Sequence, residues 1–399
     1  MRSARKAALA VFLLLAASEL VAQEAAAPYG FRRDGSGTFP GANPPLEWGE
    51  KKNIKWRTNV GTGYSSPVIA GDTVLVLAEP GVLWCLGREK GNVIWSAAVG
   101  GDLPDVVKKY VRDLPGLKEK ARATPVTDGR FVYVSLTNGV VACYTLQKGS
   151  RPWVMYVDPA PLSYGPGASP VLAGKILLVD STRLQGHEAE SGKPLWRAVS
   201  AEPHYGTQAL LTLDGTLLAV TAKGSVVRVS DGAILARDIA EGLGGDQAPT
   251  PVFDGDVVFF AYRRCTAVKL SMKEGKVASL KLWEQELPGE VIASPVVKDG
   301  MLFVIPQATA SYRVLDAKTG ATLLEKDLKL EPNFYPSLSL AGKYLFLGNT
   351  RGDTLVLEPS REFKRVRQNE MPDGSGASPI FHGPNAFLRD GEFLYCVGP

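Results

Sequence analysis

The feature that most restricts this chain is a repeat. Glycine turns at Gly71, Gly129, Gly174, Gly215, Gly255, Gly300, Gly342 and Gly383 recur every 40 to 45 residues, after a first interval of 58. The stretch from Ser66 to Trp95 shows the unit. A Ser-Pro-Val step leads to a turn at Gly71-Asp72, an alternating apolar run follows, a second run spans Gly81 to Leu86, and a turn at Gly91 precedes a short strand ending on Trp95. Apolar alternation between glycine turns reads as short strands, four to a unit. One four-stranded sheet of this size cannot bury both faces, so the copies must stack, and four strands at this period make a propeller blade. The expected fold is all-β: an eight-bladed β-propeller of four-stranded antiparallel blades, one domain over residues 53–399.

A second regularity lies within the repeats. Trp95, Trp153 and Trp196 each stand four residues after a turn glycine (Gly91, Gly149, Gly192), Leu324 and Ala236 hold the same place after Gly320 and Gly232, and Trp283 follows a longer hairpin. A large aromatic on each outer strand is expected to fill the wedge between blades, where burying one ring is worth roughly 2–3 kcal/mol. The eighth copy reaches Pro399 without an outer strand, while Asn53–Arg57 precedes the first copy and has the character of one. Trp56 is therefore expected to complete the last blade, joining the chain ends and removing open sheet edges.

The N-terminus reads as a signal peptide over residues 1–22: Arg2, Arg5 and Lys6, an apolar run from Ala7 to Ala17 too short to span a bilayer, and a cleavage site after Ala22. Export to the periplasm or the extracellular space is expected, with no transmembrane anchor left after cleavage; no cysteine precedes Cys85 to carry a lipid. Losing Arg2, Arg5, Lys6 and Glu19 lowers the formal charge of +4 by two. Such a charge gives no footprint for nucleic acid or an anionic membrane. Residues 23–52 form a Gly/Pro-rich arm, with Tyr29, Phe31, Phe39 and Trp48 expected to pin it to the propeller. In the insertion 101–120, Val107, Tyr110, Val111 and Leu114 fall on one helical face, opposite Lys108, Lys109 and Arg112. A monomer is expected.

Cys85, Cys143 and Cys396 occupy equivalent positions in blades one, two and eight, and Cys265 is offset from them. Equivalent positions lie too far apart for a disulfide, and no CxxC spacing occurs, so the thiols are expected to be buried as small apolar groups.

Ligands of a propeller bind where the loops of one face converge on the axis. The loops before the inner strands carry Tyr64, Arg122, Tyr164, His204, Tyr205, Asp246, Gln247, Glu290, Asn333, Tyr335 and Asp373. Aromatics beside amides and carboxylates suit a polar cofactor, a sugar or a peptide, or simply fill the mouth. Asp246, Glu290 and Asp373 are the carboxylates that acid–base chemistry would need to pair. His187, His204 and His382 lack metal-ligand spacing, so no catalytic or metal residue is assigned.

The phrases SPVIAGDTVLV, LDAKTGATLL (Leu315–Leu324) and SGKPLW (Ser191–Trp196), with the Gly-to-Trp interval, resemble the pyrroloquinoline quinone (PQQ) repeat family of β-propellers over residues 53–399. The resemblance implies eight blades. The family includes quinoprotein dehydrogenases and non-enzymatic propellers similar to outer-membrane protein assembly factor B. The resemblance also implies how the enzymes hold PQQ: on an adjacent cysteine pair, beneath a tryptophan, with calcium near a Glu, an Asn and an Asp. This chain has no Cys-Cys pair and no tryptophan in the loops before the Ser-Pro steps. The reading is an exported, non-catalytic scaffold without a cofactor that binds envelope proteins. The alternatives are a dehydrogenase with a degenerate PQQ and calcium site, and a hydrolase or lyase using mouth carboxylates.

Overall fold

The computed structural model describes residues 29–112, 120–199, 201–243, 245 and 247–399; the signal-like segment 1–22 and Asp246 lie outside them. Two strands precede the repeats, β1 (Thr38–Phe39) and β2 (Ile54–Asn59). Blade 1 comprises β3 (Val68–Ala70), β4 (Thr73–Ala78), β5 (Val82–Gly87) and β6 (Val93–Ala98), antiparallel and paired in that order. The same meander recurs in blades 2 to 7, over 126–156, 171–198, 209–236, 252–286, 296–327 and 339–370. The fold is an eight-bladed β-propeller. Each inner strand runs from the Ser-Pro step on one face, the mouth face, to its glycine turn on the other, the lower face. Buried Val, Leu and Phe of facing blades pack into inter-blade clusters, such as Leu75 and Leu77 with Val132 and Val134 between blades 1 and 2.

Blade 8 closes as the sequence implies. Its strands Ile380–His382, Asn385–Asp390 and Phe393–Val397 are completed by β2, with Trp56 opposite Cys396 and Arg57 opposite Tyr395. The last sheet is thus built from both ends of the ring.

The outer tryptophans do more than fill space. Each lies over the turn glycine of the next blade. A Cβ on Gly91, Gly149, Gly192, Gly232 or Gly320 would fall 2.5–2.9 Å from the ring of Trp56, Trp95, Trp153, Trp196 or Trp283 respectively. Each indole Nε1–H donates to a backbone carbonyl of that next blade, at Arg88, Leu146, Ala189, Val229 and Ala317, over 2.8–3.0 Å. Strand pairing also explains the cysteines: Cys85, Cys143 and Cys396 sit directly opposite Trp95, Trp153 and Trp56, where a small side chain leaves room for the indole. In blade 5 Ala267 faces Trp283, which leaves Cys265 two residues out of register. All four thiols are buried and free, and burial pushes them up, Cys85 to about 11 and the others to about 12.

A belt of hydroxyls circles the mouth end of the inner strands. The backbone N–H of Ser66 donates to Thr124 Oγ1, Thr124 to Ser169 Oγ, and Ser169 to Thr207 Oγ1. Thr250 donates to Ser294, Ser294 to Ser337, Ser337 to Ser378, and Ser378 back to Ser66, all seven bonds spanning 2.9–3.1 Å. The eighth link is missing between blades 4 and 5, where Thr250 Oγ1 has no partner and Tyr205 and Gly206 N–H donate to Gln247 O instead. The same junction lacks a tryptophan seat, since Ala236 stands in the outer strand.

The arm threads the axis from the lower face. Tyr29 exchanges two backbone hydrogen bonds with Thr127 of blade 2, and β1 adds in parallel to the inner strand Ser339–Ala341 of blade 7. Between them Arg32, fully buried, donates to Pro295 O at 2.7 Å and Leu338 O at 3.0 Å. Phe39 packs edge-on against Phe381 of blade 8, and Trp48 stacks on Phe346 of blade 7. The insertion differs from its expected form. Its helix α1 is one turn, Asp105–Lys108, with Val107 buried and Tyr110 half-exposed and stacked on Tyr156; residues 113–119, including Leu114, lie outside the described set. Pro104 supplies no side-chain cap, and so short a segment does not recover the cost of helix nucleation.

The tryptophan seat makes a differential prediction. Gly149 and Gly129 both have positive φ, at 66° and 84°, but only Gly149 has a neighbour where a Cβ would go. Gly129→Ala should cost about 1–2 kcal/mol for the backbone alone. Gly149→Ala should cost about 2–4 kcal/mol, because the methyl also displaces Trp95. Denaturant midpoints of the two variants measure the gap; equal losses would mean the indole seat contributes nothing.

Candidate functional site

The mouth face gathers the loops before the inner strands and the loops joining the second and third strands of each blade. A hollow of about 460 Å³ opens there, lined by Tyr64, Asn333 and Tyr335 with Glu79, Thr350 and Ser375. Tyr64 and Tyr335, 42% and 37% exposed, stand on its rim and leave it open. The Arg122 guanidinium lies over the Tyr64 ring at 5.4 Å. Glu79 is held by the backbone: its carboxylate accepts from Lys120 N–H and Ala121 N–H at 2.8–2.9 Å. Asp373 is exposed at the edge, beside Gly391, which lines the hollow. Its own N–H and that of Gly374 donate to Asp390 Oδ1. Below, Arg389 is buried and donates to the carbonyls of Gly61, Ser65 and Leu77, tying blade 8 to blade 1. Burial pulls Arg389 down to about 10 and Arg32 to about 9, so both stay charged at neutral pH.

The remaining candidates form other groups. Tyr164, 68% exposed, lies 6.4 Å from Tyr205, whose hydroxyl accepts from Tyr164 N–H at 3.0 Å. Gln247 is buried, and its carbonyl fixes the Tyr205 loop. Glu290 is ion-paired to Arg263 and accepts from Tyr262 Oη. The expected carboxylate trio is therefore not a cluster among the described residues: Glu290 is taken up by Arg263, Asp373 stands at the edge of the hollow, and Asp246 lies outside. No group of three His, Cys, Asp or Glu able to hold a metal occurs among the described residues.

His204 is buried, with Nε2 unpartnered and its pKa pulled down to about 4, chiefly by desolvation. It belongs to a polar knot that has no sequence motif. Asp180 ends the second strand of blade 3, and its carboxylate accepts from Gln208 Nε2 at 3.0 Å, with the backbone N–H groups of His204 and Ser181 close enough to favour its charged form. The residue as a whole is only part-buried, but its Oδ1 has neither exposed surface nor a partner, and neither has Gln208 Oε1. Burial raises Asp180 to about 8. Signals for this knot were present but faint: Gln208 stands where most blades have the proline of the Ser-Pro step.

The residues of the hollow do not fit a quinone. They include neither an adjacent cysteine pair nor a tryptophan, and the four cysteines are buried. Repeat, fold and closure define a PQQ-repeat β-propeller. Matching residues 50–243, 137–279 and 222–378 is the family model described as outer membrane protein assembly factor BamB. The chain belongs to that family. It is 26% identical over 227 residues to BamB of Alkalilimnicola ehrlichii, covering 56% of this chain and 52% of the relative. It is 25% identical over 210 residues to BamB of Yersinia pestis, covering 50% of each. The chain thus aligns with about half the length of these relatives. In fold it is similar to the crystal structure of BamB from Moraxella catarrhalis, with TM-score 0.63, 14% identity and coverage of 87% of this chain and 99% of that one. It is also similar to the computationally designed Ika8 protein, with TM-score 0.57, 13% identity and coverage of 90% and 100%.

The Asp180 knot has a pH signature. Its folded pKa of about 8 lies above the ordinary carboxylate value, so the folded state holds a proton that the unfolded chain releases. That contribution is complete below about pH 4 and is lost as pH rises toward 8. Asp180→Asn removes the linkage. The stability of the variant relative to the native protein should climb from pH 4 to pH 8 and then level off; the acid-side effect of His204 is common to both and cancels. Thermal midpoints across this range measure it, and a pH-independent difference would show that Asp180 ionises normally.

Proposed function

We propose that this chain is an exported, non-catalytic scaffold that binds a protein of the cell envelope on its mouth face. The observation that carries this reading is the rim itself. Tyr64, Tyr164 and Tyr335 stand exposed on one face, with Arg122 stacked on the first of them. Tyrosine and arginine are the residues that protein interfaces enrich at their centres, and rigid rings lose little entropy on binding. Of the carboxylates considered for catalysis, Glu290 is taken up by Arg263, and Glu79 on the wall of the hollow is held by two backbone amides. Membership of a family named for outer membrane protein assembly supports a partner in the envelope. Among the described residues no helix is long and apolar enough to cross a membrane. An exported protein would meet its partner from the aqueous side.

Site-specific photo-crosslinking tests this. A crosslinker at Tyr64, Tyr164 or Tyr335 in the native host should trap one and the same envelope protein. The same probe at Val93 or Leu195, exposed on outer strands of blades 1 and 3, should not. Adducts from the outer strands alone, or PQQ-dependent alcohol oxidation by the purified protein, would overturn the reading.

A further inference from the structure

The axial channel is only half filled. On one side the arm supplies a strand: Leu340 N–H donates to Gly37 O at 2.8 Å and Gly342 N–H to Phe39 O at 3.1 Å, so β1 extends blade 7 inward across the axis. On the other side a cavity of about 440 Å³ separates the arm from the inner strands of blades 3, 4 and 5. Those strands, Val171–Ala173, Ala209–Leu213 and Val252–Asp254, each end their sheet, with no strand on the inward edge.

Blade 4 departs from its neighbours in three ways. Its inner strand has five residues, whereas the other blades have two or three. Its sequence, ALLTL, leaves Leu210, Leu211 and Leu213 only part-buried. Gln208, which lines the cavity, is 2% exposed yet its Oε1 has no partner. An overlong apolar edge strand and an unsatisfied buried amide both cost free energy in the free protein. The edge-strand cost is relieved by a ligand that supplies backbone hydrogen bonds and apolar side chains together.

We propose that this cavity binds an extended peptide segment of another protein, which pairs with Ala209–Leu213 as a second channel strand opposite β1. The chain's own arm sets the chemistry: backbone pairing along a free inner edge, with an apolar side chain such as Phe39 seated between blades. The walls combine apolar Phe31, Leu172, Leu210, Val252 and Phe253 with Arg33 and Asp34, which pair with each other, and so favour apolar side chains. Backbone pairing makes binding tolerant of sequence beyond that alternation. The site lies inside the channel and does not depend on the mouth reading.

The probe is a blocked, fluorescent hexapeptide of alternating threonine and valine with one phenylalanine, together with its N-methylated counterpart, in which alternate amides cannot donate. The full-length protein should bind the first and bind the second about tenfold or more weakly, the loss expected for two or more backbone hydrogen bonds. Leu210→Arg should lower binding to a similar degree, while the Tyr64→Ala, Tyr335→Ala variant should bind as the native protein does. Should Leu210→Arg fail to fold, a benzophenone-bearing version of the peptide on the native protein should crosslink within residues 207–213. No binding, equal binding of the N-methylated peptide, or adducts on outer strands would each overturn the proposal.

Discussion

The structure depends on one requirement: the inner strands of eight separate sheets must be held at a fixed radius around an axial channel that the arm fills only in part. The hydroxyl belt meets it. Seven of the eight buried Ser and Thr residues at the heads of the blades accept the backbone N–H of the residue heading the blade before, so a donor that sheet pairing leaves over is satisfied by the neighbouring blade. The residue must be small, must carry an acceptor, and must sit where the chain turns into the inner strand. Proline next to it, in most blades, fixes that turn and has no N–H of its own to satisfy. At the outer radius the tryptophan on its glycine seat plays the matching role at five junctions, which are thereby fixed at two distances from the axis.

These two devices are unequally distributed, and the inequality follows the irregular parts of the ring. The junction of blades 4 and 5 has neither a hydroxyl link nor a tryptophan seat and is held chiefly by apolar packing of Leu218, Val220, Phe260 and Leu270. Next to it lie the Asp180 knot, the overlong inner strand and the open half of the channel. The junction of blades 8 and 1, where the chain ends meet, is the most heavily tied. It has its hydroxyl link, the Trp56 seat and the three carbonyls on Arg389. Closure is reinforced where a ring made from one chain is otherwise weakest, and regularity is relaxed on the opposite side.

The repeat made the blade number and the closing strand legible, because glycine turns and alternating runs reflect local backbone chemistry. The Ser-Pro step was visible as a marker, but its partner lies on another blade, and no local pattern reveals an acceptor some 40 residues away. The tryptophan interval was read within a blade, while the seat belongs to the next one; only stacking shows that Gly149 serves Trp95. In the mouth, Tyr64, Asn333 and Tyr335 converge because their loops flank adjoining blades 7, 8 and 1. Glu290 was lost to Arg263, an exposed neighbour that no sequence rule favours over others. Asp180 and Gln208 carried no motif at all, since burial, which gives them their character, is a property of the closed ring. In the insertion the described helix is a single turn, Asp105–Lys108, and Pro104 ahead of it gives no side-chain cap.

The central claim is that β2 is an integral strand of the last blade, as firmly held as any interior junction. Native-state hydrogen exchange tests it most directly. If the ring closes as described, amides of β2 paired with Phe393–Val397 and the Ser378 amide bound to Ser66 should be protected to within about tenfold of the Ser169 and Ser294 amides, since closed blades open together. Exchange at β2 and Ser378 faster by several orders of magnitude, as in a fraying terminus, would contradict the account.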